Sequence, residues 1–415
     1  GTLKRLVVVR GYFPGATGLA RLPRAVGAMR APAPYGAGET AAILFTSGST
    51  GAPKGTVYTH EMFAAQVDAL GALFDCRSGE VSVATFPLFG LFDVALGMTV
   101  VLPSMDATKP GSVDAREIIG PIEKHGAAQL FGSPALLDRV GRYAESKGVK
   151  LPTVRRVLSA GAPVTAKIIR RFAALTTRGE VFTPYGATEA LPVACIGSRE
   201  LSETAAKTAE GYGVCVGRPA PGMEVRVIGI SDEPIARWND DLAVAQGDVG
   251  EIVARGPVVS ACYYARPQDT ALAKIPCADG RFFHRMGDLG RFDEAGRLWF
   301  CGRKSERVWS EGLRLYTSCA EGVFDAQPAV KRSALVAARN GKAVLPVLCV
   351  ELEDEDAAGE GLRQELMDLT WRHEALRGVM AVLFHPGFPV DARHNAKIQR
   401  GELSVWASRE LLSAR

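Results

Sequence analysis

The sequence predicts an α/β fold: a large N-terminal domain of stacked mixed sheets with helices plus a β-rich subdomain, then a small, mobile α+β C-terminal domain. Three observations carry that prediction. Up to about residue 210, short apolar strands alternate with helical stretches through glycine-rich turns. From about Gly213 the strands become short, alternate in polarity and end in turns. Beyond residue 304 an acidic segment, 351–360, and two helix-like stretches mark a separate unit. The expected domains are therefore 1–304 and 305–415. A chain of 415 residues, 47% hydrophobic and 23% charged, has ample material for two or three cores.

Residues 31–40 form a Pro/Gly/Ala-rich linker. An apolar strand follows at 41–45, then a loop of small residues. Thr59 reads as the N-cap of a helix over 61–74. Leu130-Phe131 leads through Gly132-Ser133-Pro134 into a helix ending near residue 146. Arg156-Val157-Leu158 leads through 159–163 into a helix from about residue 165. This alternation predicts largely parallel strands. Further on, 225–228 and 250–254 read as alternating strands. Asp293-Glu294-Ala295-Gly296 reads as a hairpin turn between 289–292 and 297–301.

Composition narrows the function. Lys plus Arg total 49 against 45 Asp plus Glu, a net +4 without a basic block, so nucleic acid is not an expected partner. No apolar run reaches the roughly 18 residues of a membrane span. The first ten residues lack the features of a signal peptide. Eight cysteines are scattered with no C-x-x-C pair. That argues against a zinc site or disulfide framework and for a reducing cytoplasm.

The sharpest local signal is Leu44-Phe45-Thr46-Ser47-Gly48-Ser49-Thr50-Gly51-Ala52-Pro53-Lys54-Gly55, expected between a buried strand and a helix. Glycines let backbone N–H groups converge on an anion, hydroxyls add donors, and Lys54 adds positive charge. It is not a Walker A loop, because glycine follows Lys54 where Ser or Thr is required. A solvated Ser/Thr/Gly loop has the same composition, so the residues alone leave both readings open.

The run resembles the signature phosphate loop of the adenylate-forming superfamily of acyl-CoA synthetases, luciferases and nonribosomal-peptide adenylation domains. The resemblance implies contacts to the β- and γ-phosphates of ATP from Thr46, Ser47, Gly48, Ser49, Thr50, Gly51 and Lys54. Ser159-Ala160-Gly161-Ala162-Pro163 resembles the family's adenine-contacting turn, which implies Gly161, Ala162 and Pro163. Thr183-Pro184-Tyr185-Gly186-Ala187-Thr188-Glu189 resembles its Tyr-Gly-x-Thr-Glu motif. That implies nucleotide contacts from Tyr185, lying against adenine, and Gly186; Thr188 would contact the α-phosphate and Glu189 would hold Mg²⁺. Met286-Gly287-Asp288-Leu289-Gly290 resembles the motif whose aspartate accepts both ribose hydroxyls, a task suited to a carboxylate. Gly302-Arg303-Lys304-Ser305-Glu306 resembles the end of the family's large domain. Arg303 would reach the ribose, and Ser305 stands at the hinge, where relatives usually carry Asp or Lys.

Near the C-terminus, Asp391-Ala392-Arg393-His394-Asn395-Ala396-Lys397 occupies the place of the family's lysine motif. Lys397 would bridge the substrate carboxylate and the α-phosphate as charge builds on phosphorus. Lys397, Thr188 and Glu189 are thus the implied catalytic residues, with ATP and Mg²⁺ required.

Three stretches resemble one branch, the β-lactone synthetases of bacterial long-chain olefin biosynthesis. They are 183–193, 284–288 with 298–304, and 385–391 through Lys397; there His394-Asn395-Ala396-Lys397 stands where acyl-CoA synthetases usually end in Ser-Gly-Lys. The implied reaction converts a long-chain 3-hydroxy (2-alkyl) fatty acid through an acyl-adenylate to a β-lactone, releasing AMP and pyrophosphate. The nucleophile is tethered, and proximity supplies part of the barrier reduction. Consistently, 308–314 matches poorly the loop that thioester-forming relatives swing into the site.

Residues 86–97 correspond to the acyl-pocket region, although such apolar stretches also serve as plain core. The pathway implies thiolase-like and decarboxylase-like partner enzymes. Relatives carry a substantial N-terminal part before the phosphate loop, and most of it is expected to be missing here. Two other readings stay open. One is a fatty acyl-CoA or acyl-carrier ligase of the same superfamily, distinguished by CoA consumption. The other is a catalytically inactive nucleotide-binding relative, against which the presence of Lys54, Thr188, Glu189, Asp288, Arg303 and Lys397 argues.

Overall fold

A computed structural model describes residues 7–8, 17–18, 34–46, 53–161, 164, 166–310, 312–341, 343–390 and 398–413. The chain divides into two units, Gly1–Glu39 and Thr40–Arg415. The boundary falls inside the Pro/Gly/Ala-rich stretch. In the first unit β1 (Val7–Val8) pairs in parallel with β2 (Thr17–Gly18), and the N–H of Glu39 closes a turn on the Gly36 carbonyl at 3.0 Å.

The second unit opens with β3 (Thr40–Phe45) and β4 (Gly55–Thr59), an antiparallel hairpin. This corrects the sequence reading twice. The phosphate loop joins two strands rather than a strand and a helix, and β3 is not buried: Phe45 is 68% exposed. Gly-Thr-Val-Tyr-Thr carries the β-branched and aromatic residues that favour a strand, so the chain stays extended until Thr59. Thr59 then caps α1 (His60–Phe74), its hydroxyl accepting from the Met62 N–H at 3.3 Å.

A twelve-stranded sheet forms the body of the unit. Its first half contains β5 (Val81–Ala84), β6 (Thr99–Val101), β7 (Gln129–Phe131), β8 (Arg156–Leu158) and β9 (Glu180–Ala187). These lie in the order β6-β5-β7-β8-β9, all parallel. The connections carry α2 (Pro87–Ala95), α3 (Arg116–His125), α4 (Pro134–Lys147) and α5 (Ala166–Leu175). The apolar faces of α3, α4 and α5 (Ile118, Ile122, Leu137, Val140, Phe172) pack on Val83, Leu130 and Val157.

After β9 every added strand is antiparallel to its neighbour. These are β10 (Ala190–Gly197), β11 (Val214–Pro219), β12 (Glu224–Ile228), β13 (Gly250–Arg255), β14 (Lys274–Pro276), β15 (Phe282–Phe292) and β16 (Leu298–Arg303). With them run α6 (Ser198–Ala209) and α7 (Pro267–Ala273). The sheet is therefore mixed, as the fold class expects: the alternating first half is parallel, and the β-rich part is the antiparallel half of the same sheet. A two-residue turn reverses the chain between β9 and β10, where a parallel continuation would need a crossover. The turn at Asp293 forms where expected, with the Gly296 N–H donating to the Asp293 carbonyl at 3.0 Å.

Beyond residue 304 a hairpin of β17 (Val308–Ser310) and β18 (Leu313–Leu315) precedes the sheet β19 (Val330–Asn340), β20 (Ala343–Leu352), β21 (Ala381–Phe384). The helices are α8 (Thr317–Asp325), α9 (Glu360–Arg372) and α10 (Arg400–Ser413), three where two were expected. Thr317, Cys319 and Gly322 are weak helix formers, so α8 owes its existence to packing. Strand alternation splits the core in two. Leu335, Leu348 and Val350 face Val323 and Phe324, while Ala334, Val336 and Val347 face Leu403 and Ala407.

Candidate active site

Thr188 and Glu189 occupy the tip of one hairpin. Ala187 and Ala190 are register partners in β9 and β10, which leaves these two residues as the turn. Gly186 permits it, because a Cβ there would lie 2.5 Å from the Ala190 carbonyl oxygen.

The phosphate-loop hairpin closes at its mouth. The Thr46 N–H donates to the Lys54 carbonyl at 3.0 Å, and the Lys54 N–H donates to Thr46 Oγ1 at 3.4 Å. Ser47, Gly48, Ser49, Thr50 and Gly51 lie outside the described residues. Lys54 Nζ pairs with Asp269 at 2.9 Å and sits 5.2 Å from the centroid of the Tyr263 ring.

A segment that the sequence reading passed over joins hairpin and turn. The Val57 N–H donates to the Cys262 carbonyl at 3.1 Å, the Tyr264 N–H to the Gly55 carbonyl at 2.7 Å, and the Ser260 N–H to the Glu189 carbonyl at 2.8 Å. Across this seam the Tyr263 hydroxyl donates to Glu189 Oε1 at 2.6 Å, and the Tyr58 hydroxyl donates to the Thr188 carbonyl at 2.6 Å. Burial pushes the Tyr58 phenol up to about 12, against the lowering effect of a hydrogen bond with Gln66. Burial and the Glu189 charge raise Tyr263 as well. Both phenols are therefore protonated donors at neutral pH.

Lys274 lies under the same seam. It opens β14 opposite His284, is 8% exposed, and donates from Nζ to the Ser260 carbonyl. Burial brings its ammonium down to about 7, with the Glu189 charge opposing. His284 is buried with Nδ1 3.2 Å from the Ala273 carbonyl. Burial, then the Lys274 charge, hold its imidazole well below the usual value, so the ring is neutral. Tyr58 and Tyr263 could have been suspected as aromatics with polar handles; Lys274 belongs to no motif.

Asp288 and Arg303 face each other as register partners across β15 and β16. Asp288 is 2% exposed. Its Oδ1 accepts from Arg303 Nη1 at 2.7 Å, and its Oδ2 accepts from the Tyr185 hydroxyl at 2.6 Å. Burial raises the carboxyl, while Arg303 and Tyr185 pull it back down. A carboxylate has about four lone-pair sites, so two remain for a diol. Three of the sequence-derived residues thus form one chain, Tyr185–Asp288–Arg303.

Gly161 is exposed with φ +96°; Ala162, Pro163 and Lys397 lie outside the described residues. The residues flanking 391–397 are pinned: Val390 bridges Ile398, and the Gln399 N–H donates to the Pro389 carbonyl at 2.8 Å. Arg400 donates to Glu306 Oε2 at 3.0 Å and to both oxygens of Glu321 at 2.6 and 2.9 Å.

Among the described residues no cluster of three or more His, Cys, Asp or Glu could hold a metal. Magnesium, however, is commonly bound through one or two carboxylates together with substrate phosphates. Glu189, whose carboxylate accepts from the Tyr263 hydroxyl, fits that donor set.

The β9–β10 hairpin also borders a cavity of about 30 Å³. Pro184, Leu191 and Pro192 wall it on the hairpin side, with Gln66 and Leu70 from α1 and Phe89 and Phe92 from α2 opposite. The expected acyl-pocket stretch is α2, so it contributes to a cavity as well as to packing. The cavity has a polar floor. Asp93 accepts from Ser82 Oγ at 2.7 Å and Gln129 Nε2 at 2.8 Å, and Gln129 Oε1 accepts from Arg156 Nε at 3.1 Å.

Residues 11–264 match the family described as AMP-binding enzyme. Over 98% of the chain the sequence is 48% identical to the olefin beta-lactone synthetase of Stenotrophomonas maltophilia, covering 74% of that protein. It is 45% identical to the olefin beta-lactone synthetase of Xanthomonas campestris pv. campestris, with the same coverage of both chains. The structure of the amide bond synthetase McbA from Marinactinospora thermotolerans is similar with a TM-score of 0.77 at 22% identity, over 98% of this chain and 76% of that one. At that identity the likeness speaks for the fold alone.

Proposed function

The chain belongs to the family of AMP-binding enzymes, and from that premise we propose that it is an ATP-dependent β-lactone synthetase acting on long-chain 3-hydroxy (2-alkyl) fatty acids. One observation carries the reading beyond the sequence similarity: a single hairpin borders both halves of the chemistry. Tyr185, bonded to Asp288, and the Thr188–Glu189 turn belong to it, and so do Pro184, Leu191 and Pro192 of the apolar cavity.

In this reading the substrate carboxylate attacks the α-phosphorus of ATP and pyrophosphate leaves. Thr188 contacts the α-phosphate, and Lys54 with the phosphate loop holds the outer phosphates. Asp288 and Arg303 hold the ribose, and Gly161, Ala162 and Pro163 border the adenine. Glu189 would hold Mg²⁺, which offsets phosphate charge when bound. Lys397 bridges carboxylate and phosphate. The 3-hydroxyl oxygen then attacks the acyl carbon, the bond from that carbon to the phosphate oxygen breaks, and AMP leaves with the electron pair. The hydroxyl proton passes to the phosphate of AMP. No CoA is needed, because the nucleophile is tethered. Residues 305–415 act as a cap that hinges at Ser305 and carries Lys397. Cytoplasmic placement and pathway partners of thiolase-like and decarboxylase-like chemistry belong to the same proposal. No described helix is long and apolar enough to cross a membrane.

The test supplies ATP, Mg²⁺ and a 3-hydroxy fatty acid without CoA and follows products by NMR. AMP and a β-lactone are expected. AMP release that depends on CoA, with a thioester product, would instead establish the acyl-CoA ligase reading.

A further inference from the structure

Gln66 lies on α1, is 2% exposed and lines the apolar cavity. Its Nε2 donates to the Leu191 carbonyl at 2.8 Å, and its amide also meets the Tyr58 hydroxyl, which in turn donates to the carbonyl of Thr188. The amide orientation is thereby set, with nitrogen toward the backbone of the catalytic turn. Oε1 is left buried and without a hydrogen-bond partner among the described residues. An orphaned buried acceptor is destabilising, and a bound donor relieves that cost. Cys76 and Gln129 also line the cavity, but the Cys76 thiol and the Gln129 amide already donate to other groups. The leucine, phenylalanine and proline side chains offer no donor, and an alkyl chain brings none. A neutral hydroxyl on the ligand does.

We infer that Gln66 is a specificity-determining residue whose Oε1 accepts a hydrogen bond from the substrate's 3-hydroxyl. The inference rests on the lactone-forming reading and deepens it. The cavity of about 30 Å³ beside this amide is large enough for a group the size of a hydroxyl. Through Tyr58, the same amide couples the position of the hydroxyl to the Thr188 turn. A hydroxyl tied there stays on the side of the acyl chain from which it can reach the carbonyl carbon after adenylation. An acid lacking the hydroxyl leaves Oε1 unpaired and binds less well.

The experiment compares kcat/KM for pyrophosphate release with a 3-hydroxy fatty acid and with the unsubstituted acid of the same length. It uses the full chain and the variants Gln66→Met and Gln66→Leu, the first close to glutamine in length. Wild type should prefer the hydroxy acid by about tenfold, the worth of one hydrogen bond. In both variants the ratio should fall to near one, whatever happens to the absolute rates. A wild-type ratio near one would overturn the inference, as would variants that lose both acids equally. The product separates this from the wider reading. Lactone formed with a ratio indifferent to Gln66 sinks the inference alone. A Gln66-dependent ratio with a thioester product sinks the lactone assignment and leaves hydroxyl recognition standing. No pyrophosphate from either acid overturns both.

Discussion

The hydroxyl of Tyr263 donates to Oε1 of Glu189 at 2.6 Å, from a residue 74 positions away in the chain. This contact orients the carboxylate proposed to hold magnesium, and Tyr263 is itself fixed because its segment pairs with β4 on one side and with the Glu189 backbone on the other. Such outer partners typically tune metal affinity 10–100-fold. Tyr263→Phe keeps the ring and removes the donor. It should raise the Mg²⁺ concentration needed for half-maximal pyrophosphate release by about tenfold or more, with little change in folding. A magnesium titration identical to wild type would remove Tyr263 from that role.

Asp288 makes a second prediction. Its two oxygens already serve Arg303 and Tyr185, so Asp288→Asn keeps one acceptor while losing the charge and half the accepting capacity. KM for ATP should rise by about tenfold or more, since hydrogen bonds to charged groups are worth about 1.5–3 kcal/mol. Steady-state kinetics with ATP varied and acid saturating measures this. An effect on KM for the acid alone would place Asp288 on the wrong side of the site.

Lys274 predicts a pH dependence of stability. Its folded value of about 7 lies below the ordinary lysine value near ~10.4. Between those limits the unfolded chain binds more protons than the folded one, so stability rises with pH through that window. Lys274→Met removes the dependence. The variant should be the more stable protein at pH 7 by up to several kcal/mol, on the order of 1.4 kcal/mol per unit of displacement, and the advantage should shrink toward pH 10. Urea midpoints across that range decide it, and a constant difference would show that Lys274 stays charged when folded.

How much of this was legible follows from where the information sits. Thr188, Glu189 and Asp288 occur in contiguous motifs, so their types and spacing marked them as candidates. Arg303 could be named for the same reason, although its register opposite Asp288 could not. Tyr263, Lys274 and Gln66 acquire meaning only through contacts that span the chain, such as the bond from Gln66 to the Leu191 carbonyl, and no local pattern announces them. That one continuous sheet holds both the parallel and the antiparallel half was hidden for a related reason. The turn that reverses the chain is Thr188-Glu189, without the Asn-Gly or Asp-Gly chemistry that marks a hairpin in sequence.

Arg400 supplies a fourth prediction. Its guanidinium, 18% exposed, joins Glu306 to Glu321, which is 13% exposed. Arg400→Met leaves the Glu321 carboxylate without its cation, and removing one partner of such a buried pair costs about 3–5 kcal/mol. Arg400→Met with Glu321→Leu should recover most of that loss. Denaturant unfolding of the single and double variants tests the coupling, and equal stability of the two would show that Glu321 does not depend on Arg400.

The central claim is that the carboxylate is activated by AMP before the 3-hydroxyl closes the ring. Oxygen-18 placed in both carboxylate positions of a 3-hydroxy fatty acid tests it most directly, with ATP and Mg²⁺ present and CoA absent. The account predicts one labelled oxygen in AMP, the other in the lactone carbonyl, and an unlabelled ring oxygen. AMP free of label would contradict it, because the carboxylate would then never have been bonded to phosphorus.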